Sequence, residues 1–299
     1  MALTSTLTTT SALSELLPSI VQEALFVASE RSIMRGLVKN YTLGPAQGKT
    51  INVPIYPQQT AVSLTEGTGL NLGDVGYANV NTSTATLTVS EVGLATHITD
   101  LARLSSATNV VADIGRLFGE AIARKIDQDL TAKFSQFTTN VVGSSGNILA
   151  VTGAISAASV FQAVAKLRSA GVPSSDLACV LHPSVAYDLK ANITNTFANP
   201  NAGTIQNEAM QMGYVGMLAG VPVYETSNFA VANGAAGDYI GGLFHRDALG
   251  LGIMQDIRIE TQRDALLRGD AIVATAMYGT GKLYEAYGVA MAFDSSIVD

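Results

Sequence analysis

The stretch that decides the fold is NVNTSTATLTVSEV, residues 79–92, in which the side chains alternate with a period of two. One face carries Ala85, Leu87 and Val89, and the other face is polar. The members of that polar face are Thr82, Thr84, Thr86, Thr88 and Ser90. Because β-branched residues favour an extended backbone, the pattern predicts a strand with one apolar face.

A second alternating run, TINVPIYP at residues 50–57, precedes it. Ile51, Val53 and Ile55 share one face, while Pro54 and Pro57 restrict the run to the edge of a sheet. The two runs therefore predict the arms of one long hairpin.

The tip of this hairpin is the glycine-rich stretch LTEGTGLNLGDVG, residues 64–76. Fully extended, half of the segment 50–93 would reach up to about 70 Å, which exceeds what a compact domain covers. A bare edge hairpin of this kind is an aggregation hazard, so we expect it to lie on a neighbouring subunit. The predicted contact residues are Ile51, Val53, Ile55, Leu64, Glu66, Gly67, Leu70, Leu72, Leu87 and Val89.

Glycine-rich loops also bind phosphates, so a cofactor site is the alternative interpretation of residues 64–76. A dinucleotide fingerprint needs a helix after the glycines, because the helix N-terminus holds the pyrophosphate. Here a strand follows, and the third glycine falls at Gly76, too far along the chain. The motifs GPAQGKT (44–50) and GTGK (279–282) also depart from a P-loop, and we predict turns for both. We therefore expect no cofactor.

Composition points to association with other protein. Hydrophobic residues make up 47% of the 299 residues and charged residues 14%, against about 25% charged in an average soluble protein. A surface so poor in charge predicts an oligomer. The net charge is −7 and the cations are scattered, which argues against tight binding of nucleic acid.

The same composition disfavours several other classes of site. No apolar run reaches the roughly 20 residues of a membrane span, and the N-terminus lacks the basic start of a secretory signal. The single Cys179 lies in an apolar run and predicts a buried, inert thiol. The three histidines show no metal-ligand spacing. We expect neither a catalytic nor a metal site, and we place Asp127 and Asp129 on a solvated or ion-paired helix face.

Beyond residue 100 helical and extended patterns alternate without a regular βαβ series, which favours an α+β fold. Helices are predicted over 109–137, 156–171 and 183–191, and strands over 176–182, 220–226 and 256–264. A final hairpin is predicted to pair 271–278 with 282–293 around Gly279-Thr280-Gly281.

The order of these parts resembles the major capsid proteins of tailed bacteriophages, the Hong Kong phage-type fold shared with encapsulins and herpesvirus capsids. Glu66-Gly67 is similar to an acidic-glycine pair near the tip of the family's extended loop, and Ile98-Thr99-Asp100 to its "VSD" element. Asp127 falls where many members carry an acidic residue in the spine helix. MLAGVPVYETSNF, residues 217–229, resembles an "LLGxPV" stretch with Ala219 inserted.

The resemblance implies a division of the chain into five parts. They are an N-terminal arm (1–44), an extended loop (45–95), a peripheral domain with the spine helix (96–175), an axial domain (176–250) and return strands of the peripheral domain (251–299).

The resemblance also implies a function without catalysis: assembly through pentamers and hexamers into an icosahedral procapsid that matures around double-stranded DNA. The implied place is the virion, with assembly in the host cytoplasm. The implied partners are the chain itself, a separate scaffolding protein, a portal, decoration proteins and DNA bound without sequence specificity, with no membrane. Lys49 is the extended loop's single lysine, and we do not predict crosslinking. Two alternatives stay open: an encapsulin-type compartment and a nucleotide-binding α+β enzyme.

Overall fold

The computed structural model describes residues 32–44, 48–56, 82–101, 110–142, 153–196, 214–229 and 238–297. The helices in these ranges are α1 (Met34–Leu37), α2 (Val110–Thr131), α3 (Ala157–Ser169) and α4 (Pro183–Thr196). The strands are β1 (Lys39–Thr42), β2 (Thr50–Ile55), β3 (Ser83–Thr88), β4 (Ser90–Thr99), β5 (Asn140–Val142), β6 (Leu177–Leu181), β7 (Tyr214–Leu218), β8 (Val221–Glu225), β9 (Asp238–His245), β10 (Leu249–Asp264), β11 (Gly269–Lys282) and β12 (Gly288–Asp294). The mixture of long helices and separate sheets is the predicted α+β class.

The long helix α2 follows from its apolar repeat. The buried side chains on one face recur every four residues: Ile114, Phe118, Ile122, Ile126 and Leu130. They pack on β4, β10 and β11, so burial of this stripe holds the helix against a sheet. The helix ends at Thr131, six residues before the end of the predicted stripe, and Phe134 lies in a short 3₁₀ turn.

That sheet has four strands in the order β1-β10-β11-β4. β1 runs parallel to β10, and the other pairs are antiparallel. The predicted alternating run 79–92 contributes to two strands, because β3 ends at Thr88 and β4 begins at Ser90.

A second sheet has six strands in the order β5-β12-β9-β6-β8-β7. Every residue of β6 and β9 is buried, as expected for central strands covered on both faces. The predicted helices α3 and α4 and the predicted strands β6 and β8 are confirmed, with boundaries shifted by a few residues.

The C-terminal region departs from the sequence prediction in two ways. β11 contains Gly279-Thr280-Gly281 and pairs with β10 through a turn at 265–268, so the predicted turn at these glycines is wrong. β12 pairs with β9 and β5 in the six-stranded sheet. The described part of residues 251–299 therefore contributes to both sheets, because β11 belongs to the four-stranded sheet and β12 to the six-stranded sheet.

Candidate assembly interface

The predicted hairpin arm is present at its base as a two-stranded sheet of β2 and β3. The pairs run from Thr50 opposite Thr88 to Ile55 opposite Ser83. Its tip lies outside the described residues, and with it the predicted contact residues Leu64, Glu66, Gly67, Leu70 and Leu72.

One face of the arm is apolar except for Ser83, which lies opposite Ile55 at its outer end. Ile51 lies opposite Leu87, and Val53 lies opposite Ala85. Burial decreases outward along this face, because Leu87 is 0% exposed whereas Val53 and Ile55 are half-buried. The subunit therefore covers the outer part of the face less completely than the root.

The root of the arm lies in a depression lined by glycines, which we call the glycine seat (Gly250, Gly252, Gly279 and Gly281). Gly250 faces Gly281 across β10 and β11, and Gly252 faces Gly279. A Cβ atom on Gly250 would lie 3.1 Å from Cδ1 of Leu87, and one on Gly252 would lie 2.7 Å from Cδ1 of Ile51. Four missing side chains thus make the space that the arm's root fills.

Two of the predicted contact residues are buried inside the subunit. Leu87 and Val89 are 0% and 8% exposed within the isolated subunit, so they fasten the arm to its own chain. The Val89 amide also donates to the carbonyl of Lys49 at 2.8 Å, closing the root of the hairpin. Ile51 also packs into the seat, over Gly252, so Val53 and Ile55 are the described contact residues that lie beyond the root.

A second anchor is the carboxylate of Asp127 on α2, which is 0% exposed. It accepts hydrogen bonds from the Ser32 hydroxyl at 2.7 Å and from the Ile33 and Met34 amides at 3.3 Å each. The side-chain amide of Asn228 donates to it at 3.4 Å. One side chain thereby joins three separate segments of the chain.

The sequence prediction of a solvated or ion-paired Asp127 is wrong, because the segment around Ser32 covers it. Burial raises the pKa of this carboxyl, and the four hydrogen bonds oppose that rise. Asp129, two residues on, does form the predicted ion pair, with Lys125 at 2.7 Å. Asp129 also accepts a hydrogen bond from the Tyr278 hydroxyl at 2.8 Å, which ties α2 to β11.

Two side chains that sequence analysis weighed as reactive groups, Cys179 and His182, are packed within the subunit. Cys179 is 0% exposed, and burial raises the pKa of its thiol to about 12. His182 stacks on Tyr239 with ring centroids 3.6 Å apart. Within the described ranges no cluster of His, Cys, Asp and Glu has the grouping that a metal ion needs. No helix in the part of the chain that the structure describes is long and apolar enough to cross a membrane.

An α+β subunit with an arm rooted in its own sheet and a half-buried apolar face along that arm has the features of an assembly protein. The particular family follows from comparison. A sequence profile described as "Phage capsid protein" matches residues 82–292, and the chain belongs to that family. It is a bacteriophage capsid protein, a structural component of the virion. No curated protein sequence matches the chain significantly.

Several solved structures have a similar fold. A chain in the capsid structure of the cyanophage P-SCSP1u is 18% identical, with 89% of each chain covered and a TM-score of 0.63. A chain in a structure of Mycobacterium phage Che8 is 18% identical, with 82% of this chain and 85% of the other covered and a TM-score of 0.62. A chain in the capsid structure of Helicobacter pylori bacteriophage KHP30 is 11% identical, with 86% of this chain and 88% of the other covered and a TM-score of 0.65. At these low sequence identities the similarity shows a shared fold.

Proposed function

We propose that this chain is the major capsid protein of a tailed bacteriophage and assembles through pentamers and hexamers into an icosahedral shell around double-stranded DNA. The observation that carries the proposal is the hairpin arm, whose root is fastened in the glycine seat while Val53 and Ile55, farther out on its apolar face, are only half-buried. Membership of the phage capsid protein family favours this function over the encapsulin-type compartment and the nucleotide-binding enzyme.

The arm in this proposal binds a neighbouring subunit by burying its apolar face and adding main-chain hydrogen bonds at its edges. Both arm strands have one free edge in the described region, since their two-stranded sheet contains only β2 and β3. Because the same arm on each copy contacts a different surface of the next copy, the contact is heterologous and suits closed shells.

The parts of the chain have the following roles in the proposal. The four-stranded sheet with α2 forms a peripheral domain, and the six-stranded sheet with α3 and α4 forms an axial domain. The N-terminal arm is bound at Ser32, Ile33 and Met34 by the Asp127 anchor. β12, α3 and β5 are assigned to the axial domain, whereas the sequence suggested the peripheral domain for all three.

The partners beyond the chain itself belong to the proposal as well: a separate scaffolding protein, a portal, decoration proteins and packaged DNA. A net charge of −7 fits a shell that encloses DNA without holding it. We propose no catalytic role and no cofactor for the chain.

The first test is negative-stain microscopy of the expressed protein with and without its neighbouring gene products. Closed shells, tubes or rings are expected. Replacing residues 62–79 by a tight turn should leave the subunit folded by circular dichroism and abolish closed shells. Closed shells of normal size from the shortened variant would contradict the proposed role of the arm.

A finer test compares two substitutions on opposite faces of one strand. Val53→Asp places a charge on the apolar face of the arm, while Asn52→Asp places the same charge on the exposed face. Burying an unpaired charge is costly, so V53D should lose shell assembly at least tenfold while N52D assembles normally. Equal assembly of the two variants would contradict the assignment of the apolar face.

A further inference from the structure

In the described residues the chain passes three times between the four-stranded sheet with α2 and the six-stranded sheet. The first crossing (132–139) joins α2 to β5, the second (246–248) joins β9 to β10, and the third (283–287) joins β11 to β12. The second and third crossings are short and adjacent, since the Leu283 amide donates to the Ala248 carbonyl at 2.8 Å. Two short adjacent crossings form a line about which the two sheets can rotate relative to each other.

The first crossing is the longest of the three and would have to follow such a rotation, but side chains at the third crossing hold it. The Glu285 carboxylate accepts hydrogen bonds from the Thr138 amide at 2.7 Å and from the Thr138 hydroxyl at 3.0 Å. Lys282 forms an ion pair with Glu285 and also donates to the Gln136 carbonyl at 2.9 Å. We call these four residues, Gln136, Thr138, Lys282 and Glu285, the crossing clamp.

The clamp differs in kind from the apolar contact between the same two crossings. A Cβ atom on Gly288 would clash with the Phe137 ring, so this ring rests directly on the backbone of Gly288. Apolar contacts are non-directional and permit small rotations, whereas charge-assisted hydrogen bonds require one geometry. Burial raises the pKa of the Glu285 carboxyl, but the hydrogen bonds from Lys282 and Thr138 outweigh it and leave the pKa below its usual value. The clamp is therefore the directional part of this joint.

We propose that the crossing clamp fixes the angle between the two sheets, and that Glu285 thereby selects the curvature at which copies of the chain close into one size of particle. Every copy repeats the same subunit shape, so a small change of angle decides whether and where the assembly closes. The clamp is partly exposed, with 27% of the Lys282 side chain and 41% of the Glu285 side chain accessible, so its loss leaves the core intact. The curvature rests on the proposed shell function, whereas the angle is a property of one subunit.

The distance between two spin labels measures the angle on unassembled subunits. Ala121 on α2 and Gln162 on α3 are exposed, and the single native cysteine, Cys179, is 0% exposed. Labels on Ala121→Cys and Gln162→Cys should give one narrow distance distribution in otherwise wild-type subunits. Glu285→Ala should broaden this distribution by about twofold or more. Glu285→Gln should broaden it less, because it keeps an oxygen that accepts from the Thr138 amide.

Particle size tests the consequence for assembly. In negative-stain microscopy, Glu285→Ala should raise the fraction of particles outside the wild-type size class by about fivefold or more. Glu260→Gln is the matched control, since Glu260 forms an exposed ion pair with Arg258 within one strand. E260Q should leave both the label distances and the particle sizes unchanged. Circular dichroism of E285A subunits should match the wild type; if this variant does not fold, Lys282→Met, which removes only the lysine's contacts, takes its place in both measurements.

The outcomes separate this inference from the proposed function. An unchanged distance distribution in the folded clamp variant refutes the clamp, whatever its particles look like. A broadened distribution with wild-type particle sizes refutes the link to curvature and leaves the shell function standing. If the wild type forms no closed particle under any condition tested, the shell function fails, and the label distances still decide whether the clamp fixes the angle.

Discussion

Leu87→Ala tests how firmly the arm is fastened to its own subunit. Leu87 is 0% exposed, and its methyl groups fill the space above Gly250 and Gly281. Leucine-to-alanine changes in cores cost about 2–5 kcal/mol, and the cost rises with the volume of the cavity that remains. Because glycines line the seat, few side chains can move into the cavity that L87A leaves. One that can is Leu283, which also lies over Gly250. We expect a loss of about 3 kcal/mol.

The expected loss is local, since it weakens docking of the arm rather than the six-stranded sheet. A change of about 3 kcal/mol corresponds to roughly a 100-fold change in the equilibrium between docked and undocked arm. The amide of Val89 reports this equilibrium, because it is bonded to the Lys49 carbonyl at the root of the hairpin. Amide hydrogen exchange of unassembled L87A subunits should therefore show Val89 losing about 100-fold of its protection.

Val53→Ala is the matched control on the same face of the arm. Val53 is half-buried in the isolated subunit, so we expect a cost below about 1 kcal/mol and less than about fivefold faster exchange at Val89. The reasoning is refuted if L87A leaves the Val89 amide as protected as in the wild type, or if V53A accelerates its exchange as much as L87A does.

Three further predictions concern the contacts inside the subunit. Asp127→Asn should lower the free energy of unfolding, measured in urea, by about 1–3 kcal/mol relative to the wild type. The reason is that an amide oxygen cannot accept hydrogen bonds from all four donors. Since burial raises the pKa of Asp127, the folded state binds its proton more tightly than the unfolded state. The difference in unfolding free energy between the wild type and D127N should therefore fall as pH rises from the usual aspartate range through the raised pKa, and it should stay level at higher pH. An increase of this difference over the same pH range would contradict the prediction. Tyr278→Phe should cost about 1.5–3 kcal/mol by losing the bond to Asp129, and an unchanged urea midpoint would show that this bond contributes little. Gly279→Ala should impair folding, because its Cβ would clash with the backbone of Thr88; the yield of soluble protein and its circular dichroism measure this, and a normal yield would contradict the close approach.

Much of the local structure was predictable from periodicity. The repeat of apolar residues every 3.6 positions predicted α2 and α3, and the period of two predicted the paired arms β2 and β3. The order of these elements was also enough to suggest the capsid family, because the family is recognised by its sequence of parts. Each of these signals lies within a few neighbouring residues.

The site itself was less predictable, and Gly279 and Gly281 show why. A glycine pair next to a lysine and between two predicted strands indicates a turn, since conformational freedom is the usual reason for glycine. In the structure both glycines lie within β11, opposite Gly252 and Gly250. These glycines allow the arm to approach β11 closely. That role can be recognised only when the positions of β3, β10 and β11 relative to one another are known.

Asp127 shows the same limit for a charged residue. On α2 alone it is one of several acidic residues, and nothing in its neighbours distinguishes it from Asp129. Its partners Ser32 and Asn228 lie 95 and 101 residues away along the chain. The sequence by itself thus determined which segments are helical, which are extended and which of their faces are apolar, because those properties depend on neighbouring residues. Only the tertiary structure decided that Leu87 is an internal anchor, that Asp127 is buried and that β12 joins the six-stranded sheet, because each depends on contacts between distant segments.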